Sequence, residues 1–224
     1  MSEKIITFEH ISKSYKDGKK KRQVLCDISG FVEKGSINVI LGESGCGKTT
    51  FLSVLSGIEK PDEGRVMVKE KDFYHLQSDY QAKLRGKFFG IVFQDFNLVD
   101  ELTVKDNILL PLKINKIPFD QKLYDDLIYR INLLNVQDSY PCELSGGEKQ
   151  RTAIARAMII KPVAIFADEP TGNLDDKNSA EIINIFTEMN RIYNTSIIVV
   201  THDTNLFTNP NTVFKIHDGR LYIF

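Results

Sequence analysis

The chain has 224 residues, of which 42% are hydrophobic, and its formal net charge at pH 7 is -1. This length supports one substantial core with a subdomain, and the near-neutral charge gives no general argument for a nucleic-acid partner or a strongly charged substrate. The 3 cysteines show no C-x-x-C spacing, so they indicate neither a disulfide framework nor a zinc site and predict a reducing, cytosolic location.

The sequence shows no apolar region typical of a signal peptide near its first residues and no apolar run of membrane-spanning length. If the protein works at a membrane, other chains are therefore expected to provide the spans.

The first part of the chain predicts an antiparallel sheet. Residues 5–15 alternate between apolar and polar side chains, residues 24–32 form a second strand pattern, and a turn rich in Gly and Lys separates them. The basic turn at residues 16–22 favours a solvated loop tip, and contact with anionic lipid headgroups or nucleic acid is the alternative. Tyr15 is predicted to end the first strand, where an exposed ring can stack on a nucleobase; a core or edge position is the alternative.

The G-E-S-G-C-G-K-T-T sequence at residues 42–50 predicts a phosphate-binding loop, because it lies between an apolar strand pattern and helical apolar spacing. Its glycines allow the backbone to curl with amides directed at an anion, and the helix N-terminus adds its dipole. Lys48 is expected to reach the β- and γ-phosphates and the Thr49 hydroxyl to bind Mg²⁺; a glycine-rich turn that happens to carry a lysine is the alternative. The residues predicted to bind nucleotide here are Gly42, Glu43, Ser44, Gly45, Cys46, Gly47, Lys48, Thr49 and Thr50.

The rest of the chain alternates between strand and helix patterns. Apolar runs predict strands over residues 65–68, 88–93, 163–167, 195–201, 212–216 and 221–223, the last two joined by an Asp-Gly turn. Helical spacing predicts helices over residues of about 74–85, 102–115, 121–134, 149–160 and 179–193. This alternation predicts an α/β fold with a mostly parallel sheet, an N-terminal antiparallel β subdomain and a helical insertion. Within a single domain over residues 1–224, we expect residues 1–94 and 162–224 to form the core and residues 95–161 to form the helical subdomain.

Polar residues follow several of the buried strand patterns. In open α/β sheets ligands bind at the carboxyl ends of the strands, so these residues and the phosphate-binding loop are expected to converge. Asp168 is expected to hold Mg²⁺ through water, and Glu169 to orient and deprotonate the attacking water; a solvated loop is the alternative for this acidic pair. Gln94 is expected to coordinate Mg²⁺ or its water and to couple the nucleotide state to the helical insertion. His202 is expected to bridge the γ-phosphate, and a structural role is the alternative for a lone histidine.

A second anion site is predicted where Ser145, Gly146, Gly147 and Glu148 precede the helix pattern at residues 149–160. The Ser145 hydroxyl and the amides of the two glycines would surround a helix N-terminus, with simple helix capping as the alternative. Because the phosphate-binding loop already contacts the β- and γ-phosphates, these donors are expected to serve the other side of the same γ-phosphate. They can come from another copy of the chain.

These motifs resemble those of ABC-type ATPases, the nucleotide-binding subunits of ATP-binding-cassette transporters, over essentially the whole chain. The matching segments are the adenine-stacking aromatic at Tyr15, the Walker A loop at residues 42–49, the Q-loop at Gln94, the signature at residues 144–148, the Walker B strand with its catalytic glutamate at residues 163–169, the D-loop at residues 173–175 and the switch histidine at His202. The resemblance implies a P-loop nucleotide-hydrolase core that binds ATP with Mg²⁺ and hydrolyses ATP. It also implies a head-to-tail homodimer in which each ATP lies between the Walker A loop of one copy and the signature of the other.

The resemblance extends to a subgroup. The sequences F-Q-D-F-N-L at residues 93–98 and A-D-E-P-T-G-N-L-D at residues 167–175 are similar to the group of lipoprotein-release, macrolide- and antimicrobial-peptide-export and cell-division ATPases. This similarity implies an ATPase that powers a membrane-spanning permease on separate chains and is held by it at the cytoplasmic face of the cell membrane, with no nucleic-acid partner and no direct membrane insertion. An ATPase regulator of cell-wall hydrolysis, a soluble ABC ATPase acting on nucleic acid or ribosomes, and an importer subunit are the alternatives. Glu148 stands where many relatives have Gln and Cys46 where Ser or Ala is common, and neither change is expected to abolish binding.

Overall fold

Two β-sheets and the helices that cover them form the structure, a computed structural model that describes residues 3–18, 20–203 and 206–224. The strands are β1 (Lys4–Asp17), β2 (Lys20–Glu33), β3 (Ile37–Leu41), β4 (Glu63–Val68), β5 (Lys71–Asp72), β6 (Phe89–Val92), β7 (Ala164–Asp168), β8 (Ser196–Val200), β9 (Thr212–His217) and β10 (Arg220–Ile223). The α-helices are α1 (Lys48–Leu55), α2 (Ser78–Phe88), α3 (Val104–Asn115), α4 (Gln121–Arg130), α5 (Gly146–Met158) and α6 (Asp176–Tyr193). Short 3-10 turns lie at Phe73–His75, Leu134–Val136 and Pro141–Glu143.

The predicted N-terminal antiparallel sheet is confirmed. Its strand order is β2-β1-β4-β5, and every neighbouring pair is antiparallel. The prediction that Tyr15 ends the first strand is wrong, because cross-strand pairing continues to Asp17, which lies opposite Lys20. The basic turn predicted at residues 16–22 falls partly outside the described residues, since Lys19 and the side chains of Asp17 and Lys20 are not described.

The predicted mostly parallel sheet is also confirmed. It has six strands in the order β10-β9-β3-β8-β7-β6, of which the hairpin strand β10 is the antiparallel member. Every residue of β8 and the first four residues of β7 are buried, as expected for strands covered on both faces. Because β3, β8, β7 and β6 are parallel neighbours, their carboxyl ends lie at one edge of the sheet. The segments that follow these four strands therefore meet there.

Helix α1 lies between the two sheets. Phe51 on this helix packs against Phe8 of β1 and Phe214 of β9, with ring centroids 5.2 Å and 6.2 Å away. All three rings are fully buried within one apolar cluster that joins the antiparallel sheet to the central sheet. Burying a phenylalanine side chain contributes about 1.5–3 kcal/mol, so this contact fixes the helix and the loop that precedes it.

The segment between β6 and β7 is helical. It contains α3, α4 and α5, and no strand occurs between residues 93 and 163, all of which are described. Residues of all three helices share one apolar cluster with the central sheet and with α6. The division into a core at residues 1–94 and 162–224 and a helical subdomain at residues 95–161 stays a prediction. Among the helices in the described ranges, none combines the length and apolar composition needed to cross a membrane.

Several predicted helices are wrong in their bounds. The helices predicted at residues 149–160 and 179–193 begin earlier, at Gly146 and Asp176, and the first of them ends at Met158. The helix predicted at residues 102–115 begins at Val104.

The helix predicted at about residues 74–85 begins later, at Ser78. Tyr74 lies in a 3-10 turn, where its hydroxyl is 2.6 Å from the carbonyl oxygens of both Val54 and Glu59 and donates to one of them. The helix predicted at residues 121–134 ends at Arg130. Asn132, with φ of 53°, has the left-handed conformation that ends helices.

Candidate functional site

The loop between β3 and α1 presents backbone N–H groups to a ligand. Gly47, the N-cap of α1, has φ of 107°, and a Cβ at this position would lie 2.8 Å from Cγ1 and 3.0 Å from the carbonyl oxygen of Val24. Only glycine fits this combination of conformation and close approach. No side chain in the described part of the chain caps α1, so the N–H groups of its first turn remain available to an anion.

Lys48 directs its charge into this loop. The side chain is buried, with 9% of the residue surface exposed, and its ammonium group donates to the carbonyl oxygens of Gly42 at 2.8 Å and Glu43 at 3.0 Å. A buried ammonium group needs hydrogen-bond acceptors, and the two that it has among the described residues are neutral carbonyl oxygens. Phosphate oxygens would be stronger, charge-assisted acceptors at this position.

Thr49 and Asp168 meet beside Lys48. The Thr49 hydroxyl donates to Asp168 Oδ1 at 3.2 Å, and burial raises the pKa of the Asp168 carboxyl above its ordinary value, with the hydrogen bond from Thr49 acting in the opposite direction. Hydroxyl and carboxylate oxygens are the ligands that Mg²⁺ prefers, so the pair fits this ion. No group of three or more His, Cys, Asp or Glu side chains in the described residues could hold a metal alone, so the nucleotide and water would have to supply the other ligands.

Glu169 and His202 lie together at the ends of β7 and β8. His202 Nδ1 is 3.0 Å from Glu169 Oε2, and the Glu169 side chain is 20% exposed whereas that of His202 is 75% exposed. Glu169 has a positive φ of 43°, which is unfavourable for a residue with a side chain. Its N–H donates to the carbonyl oxygen of Val200 and its own carbonyl oxygen accepts from the N–H of Gly172, both at 3.0 Å. These two backbone bonds hold Glu169 in this position despite the cost of its positive φ.

Gln94 is linked to Asn173. The Gln94 Nε2 group donates to Asn173 Oδ1 at 3.3 Å, and Asn173 Nδ2 donates back to the Gln94 carbonyl oxygen at 3.1 Å. Asn173 also donates to Asp95 Oδ1 at 3.3 Å. Sequence reasoning assigned Asn173 to a matching motif but gave it no role in the site, because its partners lie 78 and 79 residues away.

Tyr15 is held at its polar end. Its hydroxyl donates to Glu59 Oε2 at 2.6 Å and lies 3.3 Å from Thr50 Oγ1. Lys13 pairs with the other Glu59 oxygen at 3.1 Å, so the carboxylate is itself fixed. Burial, followed by the hydrogen bond to Glu59, raises the pKa of the Tyr15 hydroxyl. The residue is 40% exposed, which leaves part of its surface free for stacking.

The groups described so far surround one cavity of about 710 Å³, here called the main cavity. The predicted site residues that line it are Tyr15, Ser44, Gly45, Gly47, Lys48, Thr49, Thr50, Gln94, Glu169 and His202. Gly42, Glu43, Cys46 and Asp168 are not among the lining residues. Gly42 and Glu43 accept hydrogen bonds from Lys48, and Asp168 accepts one from Thr49. The cavity is also lined by Lys16 and Arg22, which belong to the basic turn whose sequence favours a solvated loop tip.

Ser145 and Glu148 form a capping box at the start of α5. The Ser145 N–H and hydroxyl both donate to Glu148 Oε2, at 2.8 Å and 2.6 Å, and the Ser145 hydroxyl accepts from the Glu148 N–H at 3.4 Å. Residues 145–148 are all described, and none of them lines the main cavity. Helix capping is therefore observed, and phosphate binding by Ser145, Gly146, Gly147 and Glu148 stays a prediction that needs a second copy of the chain.

We expect Glu148→Gln to lower stability in a pH-dependent way. The Ser145 hydroxyl and N–H hold the pKa of the Glu148 carboxyl below its ordinary value, so the charge adds stability above that value and loses it as the pH falls. Near neutral pH the substitution should cost about 0.5–1 kcal/mol of unfolding free energy; the cost should begin to fall near the ordinary glutamate pKa of about 4.3 and vanish only below the lowered pKa of Glu148 in the folded protein. Urea denaturation of both proteins over this range measures it; a cost that stays constant with pH would contradict the prediction.

A phosphate-binding loop between β3 and a helix, with Asp168 and Glu169 at the end of the buried strand β7 two positions away in the same sheet, defines the class of P-loop nucleoside triphosphatases. The family model described as "ABC transporter" matches residues 25–172. This chain belongs to the ABC transporter family. It is an ATP-binding subunit of that family, it hydrolyses ATP, and the cofactors of this family are ATP and Mg²⁺.

Individual relatives agree with this assignment. The chain is 41% identical over 221 residues to the bacitracin export ATP-binding protein BceA of Halalkalibacterium halodurans, covering 97% of this chain and 87% of the relative. It is also 41% identical over 224 residues to the lipoprotein-releasing system ATP-binding protein LolD of Buchnera aphidicola, covering 99% and 98%. A solved dimeric structure of the ATP-binding cassette MJ0796 bound to ADP and Pi superimposes with a TM-score of 0.89 and 30% identity, over 98% and 97% of the two chains. The predicted resemblance to the lipoprotein-release and antimicrobial-export group is confirmed, and these similarities favour a transport subunit over the alternatives.

Proposed function

We propose that this chain powers a membrane ABC complex that exports, or transmits force for, a lipoprotein, a peptide or an antimicrobial compound. The observation that carries the proposal is one cavity lined by the phosphate-binding loop and by the ends of β6, β7 and β8. The cargo classes come from relatives that are named for bacitracin export and for lipoprotein release and that match nearly the whole chain.

In this proposal the residues predicted to bind phosphate, activate water and hold the metal ion have distinct tasks. Lys48 and the first-turn N–H groups of α1 bind the β- and γ-phosphates. Glu169 accepts a proton from the attacking water, and His202, 3.0 Å from its carboxylate, orients it and contacts the γ-phosphate. Thr49 would bind Mg²⁺ directly, Asp168 would hold it through water and Gln94 would bind the ion or its water; when bound, the ion would supply positive charge that offsets negative charge on the phosphate oxygens.

The proposed active form is a homodimer in which ATP lies between two copies. Residues 145–148 begin α5 outside the lining of the main cavity, so a second copy would have to bring its Ser145 hydroxyl and glycine N–H groups to the γ-phosphate. The similar cassette MJ0796 is dimeric in its solved structure with ADP and Pi. Hydrolysis would then remove the phosphate group that both copies contact and allow them to separate.

The proposed partner is a membrane-spanning permease on one or more separate chains. BceA and LolD are named as ATP-binding proteins, which is consistent with a division of labour between chains. We propose that this chain associates peripherally with the cytoplasmic face of the cell membrane through that permease.

The test is reconstitution with a candidate permease from the same genome in lipid vesicles. We expect the permease to retain the chain on the vesicles and to raise its ATP hydrolysis rate, and Glu169→Gln to retain binding but abolish the stimulated rate. Vesicles without permease are the control. Stimulation by ribosomes or nucleic acid, with no response to any permease, would contradict the proposal.

A further inference from the structure

Two cations of the β1–β2 hairpin, Lys16 and Arg22, line the main cavity. The antiparallel register places Arg22 directly opposite Tyr15, which lines the same cavity. Directly opposed residues of an antiparallel pair project from the same face of the sheet. The register that brings the Tyr15 ring to the cavity therefore brings the Arg22 side chain there as well.

Arg22 reaches the phosphate-binding loop itself. Its Nη2 group donates to the carbonyl oxygen of Gly45 at 3.2 Å. A guanidinium group has five N–H donors, so this single neutral contact leaves most of them unused. Arg22 makes no ion pair with any carboxylate in the described ranges, and its residue surface is exposed. Its charge is thus available to an anionic ligand in the cavity.

The neighbouring Lys21 differs from Arg22 in its pairing and in its position. Its Nζ lies 3.9 Å from Asp62 Oδ2, and Lys21 is not among the described residues that line the main cavity. The two residues carry the same charge on the same strand, one position apart. Only Arg22 combines an unpaired charge with a position at the loop.

The charges around the cavity also suit a polyanion. The described cationic side chains in its lining are Lys16, Arg22 and Lys48, whereas Glu169 is the acidic one. Such an excess of positive charge in a cleft attracts a ligand with several negative charges. Of these cations, Lys16 and Arg22 have no task in the proposed hydrolysis.

We propose that Arg22 is a further nucleotide-binding residue, whose guanidinium group contacts the phosphate chain of the bound nucleoside triphosphate beside Gly45, with Lys16 adding to the attraction. The inference rests on the proposed nucleotide site. It gives the basic turn a role in binding that a solvated loop tip would not have. Because Arg22 is exposed, its contribution is screened by salt, unlike that of the buried Lys48.

The test measures the Kd of Mg-ATP by calorimetry for the full chain and for Arg22→Gln, Arg22→Lys and Lys21→Gln. At low ionic strength we expect Arg22→Gln to raise Kd about fivefold, as for the loss of one exposed charged contact. Arg22→Lys should recover most of the affinity because it keeps the charge. At high ionic strength the Arg22→Gln effect should shrink below about twofold. The Lys21→Gln control should stay within about twofold of the unchanged protein under both conditions.

Equal Kd values for Arg22→Gln and Lys21→Gln, or an Arg22→Gln effect that does not respond to salt, would overturn the inference. Lys48→Ala in the same assay separates it from the proposed site. If Lys48→Ala binds ATP normally, the site assignment itself fails. If Lys48→Ala loses affinity while Arg22→Gln does not, only the role of Arg22 fails.

Discussion

Glu169→Gln should keep ATP binding and lower kcat for ATP hydrolysis by about 10²- to 10⁴-fold, the usual contribution of a general base. The amide has the size of the carboxylate and can still contact His202, which lies 3.0 Å from Glu169 Oε2. The backbone bonds of Glu169 to Val200 and Gly172 are unaffected by the change. What is lost is the ability to accept a proton from water, whereas the phosphate contacts of Lys48 remain.

Steady-state hydrolysis and nucleotide binding, measured on the same preparation, test this expectation. Glu188→Gln is a matched control, because it makes the same chemical change in a surface ion pair with Arg130 on another helix. We expect this control to hydrolyse ATP within about twofold of the unchanged protein, as is usual for exposed ion pairs. Turnover of Glu169→Gln close to the normal rate would remove Glu169 from the role of base.

The same variant also reports on the dimer. If ATP is held between two copies and hydrolysis allows them to separate, a variant that binds ATP without cleaving it should accumulate as a dimer. Size-exclusion chromatography of Glu169→Gln with and without Mg-ATP measures the shift. A monomer at saturating ATP would argue against the proposed homodimer while leaving the role of Glu169 intact.

The features that the sequence predicts best are those encoded within one short segment. The phosphate-binding loop requires Gly47 at a conformation that other residues avoid, next to Lys48 at the start of a helix. Residues 164–167 of β7 and residues 197–200 of β8 are continuously apolar, so the positions of Asp168, Glu169 and His202 at the ends of these runs follow from the pattern. Parallel pairing of these strands then brings the residues to the same edge.

The features that the sequence does not predict depend on contacts between distant segments. The sequence of residues 16–22 favours a solvated turn, and nothing in it indicates that the Arg22 side chain reaches Gly45, 23 residues away. The sequence likewise does not indicate that the Tyr74 hydroxyl lies 2.6 Å from the carbonyl oxygen of Val54, 20 residues earlier, so it predicts too early a start for α2. In both cases the conformation depends on a hydrogen bond between distant segments, which the spacing of residues within one segment does not determine.

Lys48→Ala should weaken ATP binding itself, with Kd raised about 10- to 100-fold, because it removes a charge-assisted hydrogen bond from a buried position. Among the described residues, Lys48 donates to the carbonyl oxygens of Gly42 and Glu43. Both acceptors lie in the loop beside the main cavity, where water can replace the ammonium group. The substitution should therefore change the melting temperature of the nucleotide-free protein by only about 2–4 °C.

Thermal unfolding with and without Mg-ATP separates binding from stability. A ligand at 100 times its Kd stabilises the folded state by about 2.7 kcal/mol, and a 100-fold higher Kd reduces this at the same ATP concentration to about 0.4 kcal/mol. The Lys34→Ala control removes a lysine that pairs with Glu3 on the surface and should keep the full stabilisation by ATP. If Lys48→Ala is stabilised by ATP as strongly as the control, Lys48 does not contact the phosphates, and the loop at residues 42–50 is not the nucleotide site.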